Sequence, residues 1–290
     1  MRLSITITDY SWPDQRRGPG PALTAVVRGA DEIGLDTVWV ADHLLQADPA
    51  STPDSEMLEA YTTLGYVAAQ TEGIRLGAMV TAVTYRPASL LIKAVTTLDV
   101  LSAGRAWLGI GAGYHEGEAQ AMGLPLPRIA ERFRELEDTL RLAQQMWAGD
   151  SSPFHGERLS LGRPVSSPPP VSRPHPPILI GGTGERLTLR LVARYGDACN
   201  LFDIPDGGKT ITQKLAVLSR HCQASGRPIT DIDKTVSTRI PADQPIGDFI
   251  RHCQDLATLG IEHAIVLSAG PWTTEAVRSL APVAAAVRDN

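Results

Sequence analysis

The sequence predicts an α/β protein, a (β/α)8 TIM barrel with one proline-rich insertion. Short apolar runs rich in β-branched residues alternate with helical patterns from end to end, as in parallel βα units. The alternation gives eight strands and eight principal helices, and no linker or internal repeat divides the chain. A length of 290 residues suits one barrel. We therefore expect a single domain over residues 1–290, although the alternation alone leaves a doubly wound sheet open.

The strands are predicted where short runs of apolar and β-branched residues lie between turn residues. In chain order they are Leu3–Thr8, Thr37–Val40, Ile74–Val80, Ala106–Ile110, Ile178–Ile180, Asp197–Leu201, Thr235–Ile240 and Ala264–Leu267.

The helices are predicted from apolar residues that recur with the helical period. Three of them end next to a glycine, Gly34, Gly73 or Gly104, where left-handed backbone costs least. In chain order they are Pro21–Ile33, Ser55–Thr71, Ala88–Ser102, Ile129–Trp147, Glu185–Tyr195, Gly207–Ser225, Ile246–Leu259 and Thr273–Arg288.

Residues Gly149–Pro177 interrupt the alternation with eight prolines. Proline lacks an amide hydrogen and cannot occupy a helix interior or a central strand. We expect an ordered insertion that lies over the barrel between the fourth and fifth βα units. Together with Asp9–Trp12 and the loop Gln46–Met57, it would form the far wall of a substrate pocket.

Composition narrows the partners and the compartment. The net charge of −5 and the pI near 5.8 give no basic surface for nucleic acid or an anionic membrane. No apolar run reaches the ~18 residues of a membrane helix, and the N-terminus has no signal-peptide core. Three cysteines do not form a disulfide framework. We expect a cytoplasmic protein with a small-molecule substrate.

The chemistry of such a barrel is expected at the C-terminal ends of its strands. Asp42 and His43 directly follow the second strand. An imidazole can donate or accept a proton near neutral pH, and an adjacent acid can hold its orientation. The alternative is a loop-anchoring aspartate with a histidine packed beside it. The position at a strand end favours Asp42 and His43 as catalytic residues.

Two glycine-rich turns also follow strands. Gly181, Gly182, Thr183 and Gly184 precede a predicted helix, where backbone N–H groups and the Thr183 hydroxyl can bind a phosphate; a simple tight turn is the alternative. The turn Gly109–Gly113 belongs to the fourth unit, so it is weak evidence for a dinucleotide fingerprint. Gly111 and Gly113 are better explained as side-chain-free walls beside a flat ring.

Aromatic residues indicate a pocket, and no metal site is predicted. Trp12 and Phe202 are compatible with a flat or apolar ligand, but aromatic residues near a barrel mouth are as often packing. Tyr114 could donate a hydrogen bond or only wall the pocket. The segment His115–Glu118 and the two His-Cys pairs lack the spacing of zinc ligands.

Several stretches, in their order and spacing, resemble the bacterial luciferase-like monooxygenase superfamily. Within it they are similar to the branch that uses the deazaflavin coenzyme F420. The resemblance covers nearly the whole chain from Leu3 to about Leu267. The stretches are Thr37–His43, Leu76–Thr81, Tyr85–Pro87, Leu98–Arg105, Leu108–Glu116, Glu131–Phe133 and Pro176–Glu185.

The resemblance implies a flavin-like ring at the strand ends and a homodimer. Asp42 and His43 match positions that contact the ring, and Gly181 to Gly184 match the phosphate loop. The segment of Met79, Val80 and Thr81 matches the third-strand end behind the ring, where the family has a non-proline cis peptide. Some sugar-phosphate dehydrogenases of this branch carry a glutamate where this chain has Tyr114, and the nearest acids here are Glu116 and Glu118. Sugar-phosphate oxidation is therefore not expected.

Three functions follow from this resemblance. The leading hypothesis is hydride transfer between coenzyme F420 and an unsaturated small molecule, a C=C, C=N or C=O group, with His43 supplying or taking the proton. The alternative is an FMN-dependent monooxygenase, which needs the same fold and nearly the same strand ends. The third is a non-catalytic barrel that only binds a flavin derivative.

Overall fold

The central sheet of the protein is a closed barrel of parallel strands. The computed structural model describes residues 1–13, 16–48, 51–241 and 244–288. The strands are β1 (Arg2–Ile7), β2 (Thr37–Val40), β3 (Arg75–Ala78), β4 (Thr81–Ala82), β5 (Leu108–Gly111), β6 (Phe154–His155), β7 (Ser160–Leu161), β8 (Ile178–Gly181), β9 (Ala198–Phe202), β10 (Asp233–Arg239) and β11 (His263–Leu267).

Nine of these strands are hydrogen-bonded in the order β3-β2-β1-β11-β10-β9-β8-β5-β4. The two strands at the ends of this order, β3 and β4, are consecutive in the chain and separated only by Met79 and Val80. A bridge between Leu76 and Ala106 also joins the third and fourth barrel strands. The sheet therefore closes on itself, and the predicted (β/α)8 TIM barrel is confirmed.

The helices pack around this barrel. They are α1 (Gly20–Glu32), α2 (Ala60–Ala68), α3 (Ala88–Leu101), α4 (Glu116–Met122), α5 (Ile129–Trp147), α6 (Thr188–Tyr195), α7 (Lys209–Ser225), α8 (Ile246–Thr258), α9 (Thr274–Arg278) and α10 (Ala281–Arg288). The prediction for α5 is confirmed to the residue. The short helix α4 was not predicted, and the single C-terminal helix is instead two. Pro282 explains the break, because its ring would clash with the carbonyl of Arg278 one turn earlier.

The core has two parts that follow the alternation of the strands. On β1, Leu3, Ile5 and Ile7 face the helices and belong to the large buried cluster between the sheet and the helices. A smaller cluster fills the barrel interior and is packed against Met79 and Val80; its members are Trp39, Trp107, Leu179, Ala198 and Ile265. The barrel is thus filled by side chains, and its open surface lies at the ends of the strands.

The proline-rich insertion does not lie where the sequence suggested. Its antiparallel hairpin β6–β7 is tied to the middle of α5, because buried Asp138 accepts hydrogen bonds from the amides of Arg158 and Leu159. Further along, buried Asp99 near the end of α3 accepts bonds from the amide and hydroxyl of Ser172.

The end of α3 marks the N-terminal side of the barrel, since the carbonyl of Arg105, four residues beyond α3, accepts a bond from Leu76 at the start of β3. The expectation that the insertion covers the barrel mouth and walls the pocket is therefore wrong. Its anchors are the outer surface of α5 and the opposite end of the barrel.

Candidate active site

The second strand ends in two residues whose side chains have different partners. The Asp42 carboxylate is fully buried and forms a bidentate ion pair with Arg86, with N–O distances of 2.6 and 2.9 Å. Arg86 also bonds Glu59 and lies over the ring of Tyr61. The expectation that Asp42 could orient the adjacent imidazole is wrong, because the described partner of His43 is Glu118 and Asp42 is turned to Arg86.

This buried ion pair affects the groups around it. The hydrogen bonds and charge of Asp42 raise the pKa of Arg86 despite its burial. Burial, and then the charge of Asp42, raise the pKa values of Tyr10 and Tyr61. All three groups therefore keep their protons at physiological pH, and this region behind the second strand is a fixed framework.

His43 is held by a carboxylate that the sequence reasoning did not single out. Its Nδ1 lies 2.7 Å from Oε2 of Glu118, which is 1% exposed and belongs to α4. The same carboxylate accepts hydrogen bonds from the amides of Leu44 and Leu45 and from the hydroxyl of Tyr85. Burial alone would raise the pKa of Glu118, but the bonds from His43, Tyr85 and Leu45 lower it to about 2.

These contacts fix which nitrogen of His43 is available. An ionised carboxylate only accepts hydrogen bonds, so the Nδ1 atom of His43 carries its proton toward Glu118. Among the described residues none bonds Nε2, and the side chain is 17% exposed. The Nε2 atom can therefore accept a proton in the neutral form or donate one in the charged form.

Glu118 reaches His43 because of where α4 begins. The His115 side chain caps this helix by accepting a hydrogen bond from the amide of Glu118, at 3.0 Å. The sequence signal was the His-x-x-Glu spacing just after a strand end, which is the spacing of a helix cap followed by an acid in the first turn. That signal does not say which histidine the acid will contact.

The glycines of the fourth and fifth barrel strands make room for the backbone and a side chain of the third-strand end. A Cβ on Gly111 or Gly181 would lie 3.0 or 2.7 Å from the Val80 side chain, and one on Gly109 would lie 1.9 Å from the carbonyl of Ala78. The expectation that Gly111 leaves a wall for a flat ring is therefore wrong: the missing side chain accommodates Val80. Gly113 has a φ of +74°, which favours glycine.

The third-strand end has the backbone that the resemblance implied. The Met79–Val80 peptide is cis. Met79 and Val80 are partly exposed and pack on the inner cluster, whereas Thr81 is fully buried and bonds the Tyr61 hydroxyl at 2.8 Å. Thr81 thus lies behind the strand end, where its hydroxyl contacts protein.

The glycine-rich turn after β8 lies farther from a helix than predicted. The helix α6 begins at Thr188, so a turn over residues 185–187 separates it from Gly184. The predicted helix N-terminus directly after the glycines is therefore wrong. Gly182 has a φ of +111°, and the Thr183 side chain is partly exposed. The role of Gly181, Gly182, Thr183 and Gly184 in phosphate binding stays a prediction.

The three aromatic candidates are placed differently. Tyr114 is 70% exposed and packs edge-on against His43, with ring centroids 5.9 Å apart, and Phe202 is 54% exposed at the end of β9. Trp12 is only 6% exposed, and its indole N–H bonds the carbonyl of Trp272. The assignment of Trp12 to the pocket wall is therefore wrong, since it belongs to the core.

The loop Gln46–Met57 is tied to the first strand end, because the Gln46 amide donates to the carbonyl of Thr8. Residues 49 and 50 of this loop lie outside the described residues.

Within the part of the chain that the structure describes, no group of three His, Cys, Asp or Glu side chains could hold a metal ion. None of the described helices is long and apolar enough to cross a membrane.

The fold is a (β/α)8 barrel, and the His43–Glu118 pair lies at its mouth. The profile of the family described as luciferase-like monooxygenase matches residues 1–252. A relative from Kineococcus radiotolerans, named F420-dependent glucose-6-phosphate dehydrogenase, is 31% identical over 262 residues, which cover 87% of this chain and 73% of the relative. The chain belongs to the luciferase-like monooxygenase family.

Solved structures show the same fold at low sequence identity. An F420-dependent secondary alcohol dehydrogenase in complex with an F420-acetone adduct matches with a TM-score of 0.83 and 17% identity, covering 99% of both chains. The monooxygenase RslO1 from Streptomyces bottropensis matches with a TM-score of 0.78 and 19% identity, covering 97% of this chain and 98% of that one. At such identities the likeness concerns the fold alone.

Proposed function

We propose that this protein is a coenzyme F420-dependent oxidoreductase that transfers a hydride between the deazaflavin and an unsaturated small molecule, a C=C, C=N or C=O group. The observation that carries the proposal is His43, whose Nε2 atom is left for a ligand while Glu118 holds Nδ1. The family and the name of the 31% identical relative support the choice of cofactor. When bound, the deazaflavin supplies or accepts the hydride.

The residues at the barrel mouth fit such a group. Met79 and Val80 are partly exposed and would lie behind the ring, with the Nε2 atom of His43 beside it. The loop from Gly181 to Gly184, with the Thr183 hydroxyl, would hold the cofactor phosphate. Asp42 would act indirectly, because its ion pair with Arg86 fixes the strand end that presents His43.

Each member of the His43 network has a separate task. A neutral Nε2 takes a proton from a substrate that is oxidised, and a protonated Nε2 gives one to a substrate that is reduced. The ionised Glu118 stabilises the charged imidazole and holds its orientation. Glu118 itself would not touch the substrate, because its two oxygens already accept four hydrogen bonds.

The reduction of an unsaturated group is favoured over sugar-phosphate oxidation. In this chain Tyr114 follows the fourth-strand glycines, and the buried carboxylate of Glu118 contacts His43 and not the open mouth. Neither of these two residues therefore offers a second carboxylate to the substrate. If the enzyme oxidised glucose 6-phosphate as fast as it reduced an enone, an imine or a ketone, this choice would be contradicted.

The cofactor is tested by titration. Purified protein is mixed with F420 and, separately, with FMN, and binding is followed by fluorescence. We expect saturable binding of F420 in the micromolar range, typical of a cofactor site. Binding of FMN alone, with oxygen uptake when NADH and a flavin reductase are added, would instead support the monooxygenase. Binding without turnover of any compound would support the non-catalytic barrel.

The role of His43 is tested with a substrate that the enzyme turns over, found among enones, imines and ketones. His43→Gln is expected to lower kcat by about 10²- to 10⁴-fold, the usual range for a general acid or base. Glu118→Gln is expected to lower it by about 10- to 100-fold and to shift the pH profile of kcat to lower pH, because the imidazolium loses its counter-charge. Glu116→Gln, an exposed acid on the same turn, is the control. An unchanged pH profile in Glu118→Gln would contradict the assignment.

The oligomeric state and compartment are part of the proposal. Leu90 and Leu101 are 56% and 77% exposed and lie about three turns apart on one face of α3, which suits a homodimer contact. Light scattering should report a dimer, and Leu90→Glu with Leu101→Glu should give a monomer. Three free, buried cysteines, Cys199, Cys222 and Cys253, suit the reducing cytoplasm.

A further inference from the structure

A polar cavity lies at the N-terminal end of the barrel, opposite the proposed active site. Its volume is about 320 Å³, at the lower end of the range for small-molecule sites. It lies between the starts of β3, β8 and β9 and the last part of the proline-rich insertion. The cavity is lined by Arg75, Ser172, Arg173, Pro174, His175, Pro177 and Asp197.

The guanidinium of Arg75 is the main reason to consider this cavity a binding site. Arg75 is partly buried and lies over the ring of Trp107, 4.2 Å from its centroid. Burial lowers its pKa from the usual value. Among the described residues, none accepts a hydrogen bond from this guanidinium, and the carboxylate whose charge acts on it, that of Asp36, lies beyond ion-pair distance. The five N–H donors of this guanidinium are therefore left for water or for an anion in the cavity.

Two residues of the insertion add donors to the same cavity. The Nη1 atom of Arg173 donates to the carbonyls of Pro170 and Ser172, so its other N–H groups remain for a ligand. The Nδ1 atom of His175 lies 2.9 Å from the carbonyl of Pro176. A carbonyl only accepts, so Nδ1 carries the proton and Nε2 is left for a ligand. The His175 ring is held by stacking on Trp147.

The acidic groups around the cavity have other partners. Oδ2 of Asp197 accepts a hydrogen bond from the amide of Ile178, and its carboxylate lies 3.9 Å from both His175 and Arg227. Farther in, Arg2 pairs with Asp36 and Asp233. Among the described residues, no carboxylate lies within ion-pair distance of the two arginines of the cavity wall, Arg75 and Arg173.

We infer that this cavity binds a small oxyanion, the phosphate group of a small metabolite or free phosphate, between Arg75 and the Arg173–His175 segment. The planar guanidinium of Arg75 would bind two oxygens, and Arg173 would bind a third from the insertion. Such a ligand would join the third barrel strand to the insertion. It would therefore bind the folded chain and raise its midpoint of thermal unfolding.

The inference is tested by calorimetric titration with inorganic phosphate at constant ionic strength. Wild type is expected to bind phosphate saturably, Arg75→Gln at least about tenfold more weakly, and Arg173→Gln several-fold more weakly. Arg163→Gln, an exposed arginine of the same insertion outside the cavity, should bind as wild type does. Circular dichroism establishes that each variant is folded; Arg173→Gln provides the test if Arg75→Gln is not.

Two further arms separate this site from the mouth and identify the ligand. Thr183→Val, at the mouth and outside this cavity, should leave unchanged the phosphate binding that Arg75→Gln weakens. Loss of all saturable phosphate binding in Thr183→Val, together with unaltered binding in Arg75→Gln, would place the phosphate at the mouth and overturn the inference. Absence of saturable phosphate binding by wild type would overturn it as well. Tighter binding of glycerol 3-phosphate than of phosphate would indicate a phosphorylated metabolite, and equal binding would indicate the oxyanion alone. Neither outcome depends on F420 binding.

Discussion

Two histidines, one at each end of the barrel, have different surroundings. At the mouth, His43 is partly exposed and its Nδ1 is bonded to a glutamate whose pKa is lowered to about 2. At the N-terminal end, His263 is fully buried, and burial lowers its pKa to about 3. Its Nε2 lies 2.5 Å from the hydroxyl of Ser4, which itself accepts a bond from the amide of Thr37. Ser4 therefore bonds a neutral imidazole.

The difference shows how the barrel uses one side chain in two ways. At the mouth, the ionised carboxylate of Glu118 holds Nδ1 of His43, and Nε2 bonds no described residue. A neutral hydroxyl partner and complete burial exclude the charged form of His263. The mouth thus leaves one imidazole nitrogen for a ligand, whereas the base of the barrel keeps its histidine neutral.

The largest difference between the two ends should be in how much one aspartate contributes to the free energy of unfolding. Asp42→Asn is expected to lower the free energy of unfolding by about 3 kcal/mol, because it leaves Arg86 with only Glu59 as a partner. Asp36→Asn at the base should cost about 1 kcal/mol, since Asp36 is 17% exposed and 3.7 Å from Arg2. Urea unfolding measures both. Equal losses would mean that the Asp42–Arg86 pair is not the stronger one.

Acid should destabilise the base of the barrel before the mouth. The folded pKa of His263 is depressed from 6.5 to about 3, so the unfolded chain binds a proton first and stability falls as pH drops below 6.5. Between pH 6.5 and 4.5 the loss should be about 2–3 kcal/mol. Below pH 4.5 the depressed pKa of Glu118 adds a second loss. Unfolding of His263→Gln, followed against pH, should lack the first loss; retention of the full slope would contradict this assignment.

A third histidine gives the smallest effect. His252 bonds Asp203 at 2.6 Å beyond the end of β9, and this bond raises the pKa of His252. Its contribution is therefore present below pH 6.5 and is lost as pH rises through the folded pKa. Because the His252 side chain is 37% exposed, we expect less than about 1 kcal/mol. Asp203→Asn should remove this alkaline loss in thermal unfolding, while Asp248→Asn, an exposed acid on α8, should not.

Much of the fold was readable from local sequence. The alternation of short apolar runs with helical patterns predicted the barrel, and the bounds of β2 and α5 were predicted to the residue. Glycines at helix ends, such as Gly34 with a φ of +72°, marked boundaries because few other residues take that conformation. The break before α10 was missed although Pro282 gave a local signal for it.

The site was only half readable. Position after a strand end was enough to single out His43, because every such residue in a barrel lies at one face. Its partner could not be predicted in the same way, because Glu118 lies 75 residues further along the chain and meets His43 only in the folded structure. The adjacent Asp42 was the natural candidate from sequence, but successive residues of a strand point to opposite sides, and Asp42 faces Arg86.

The sequence by itself therefore determined the barrel, the strand ends and the position of His43 at one of them. These features depend on periodicity and on position along the chain. Only the tertiary structure decided which carboxylate serves the imidazole at the mouth. It also decided that the glycines accommodate Val80, and that the insertion meets Arg75 at the base. Those results depend on contacts between residues far apart in sequence, and no local pattern encodes which of several acids or cations will meet.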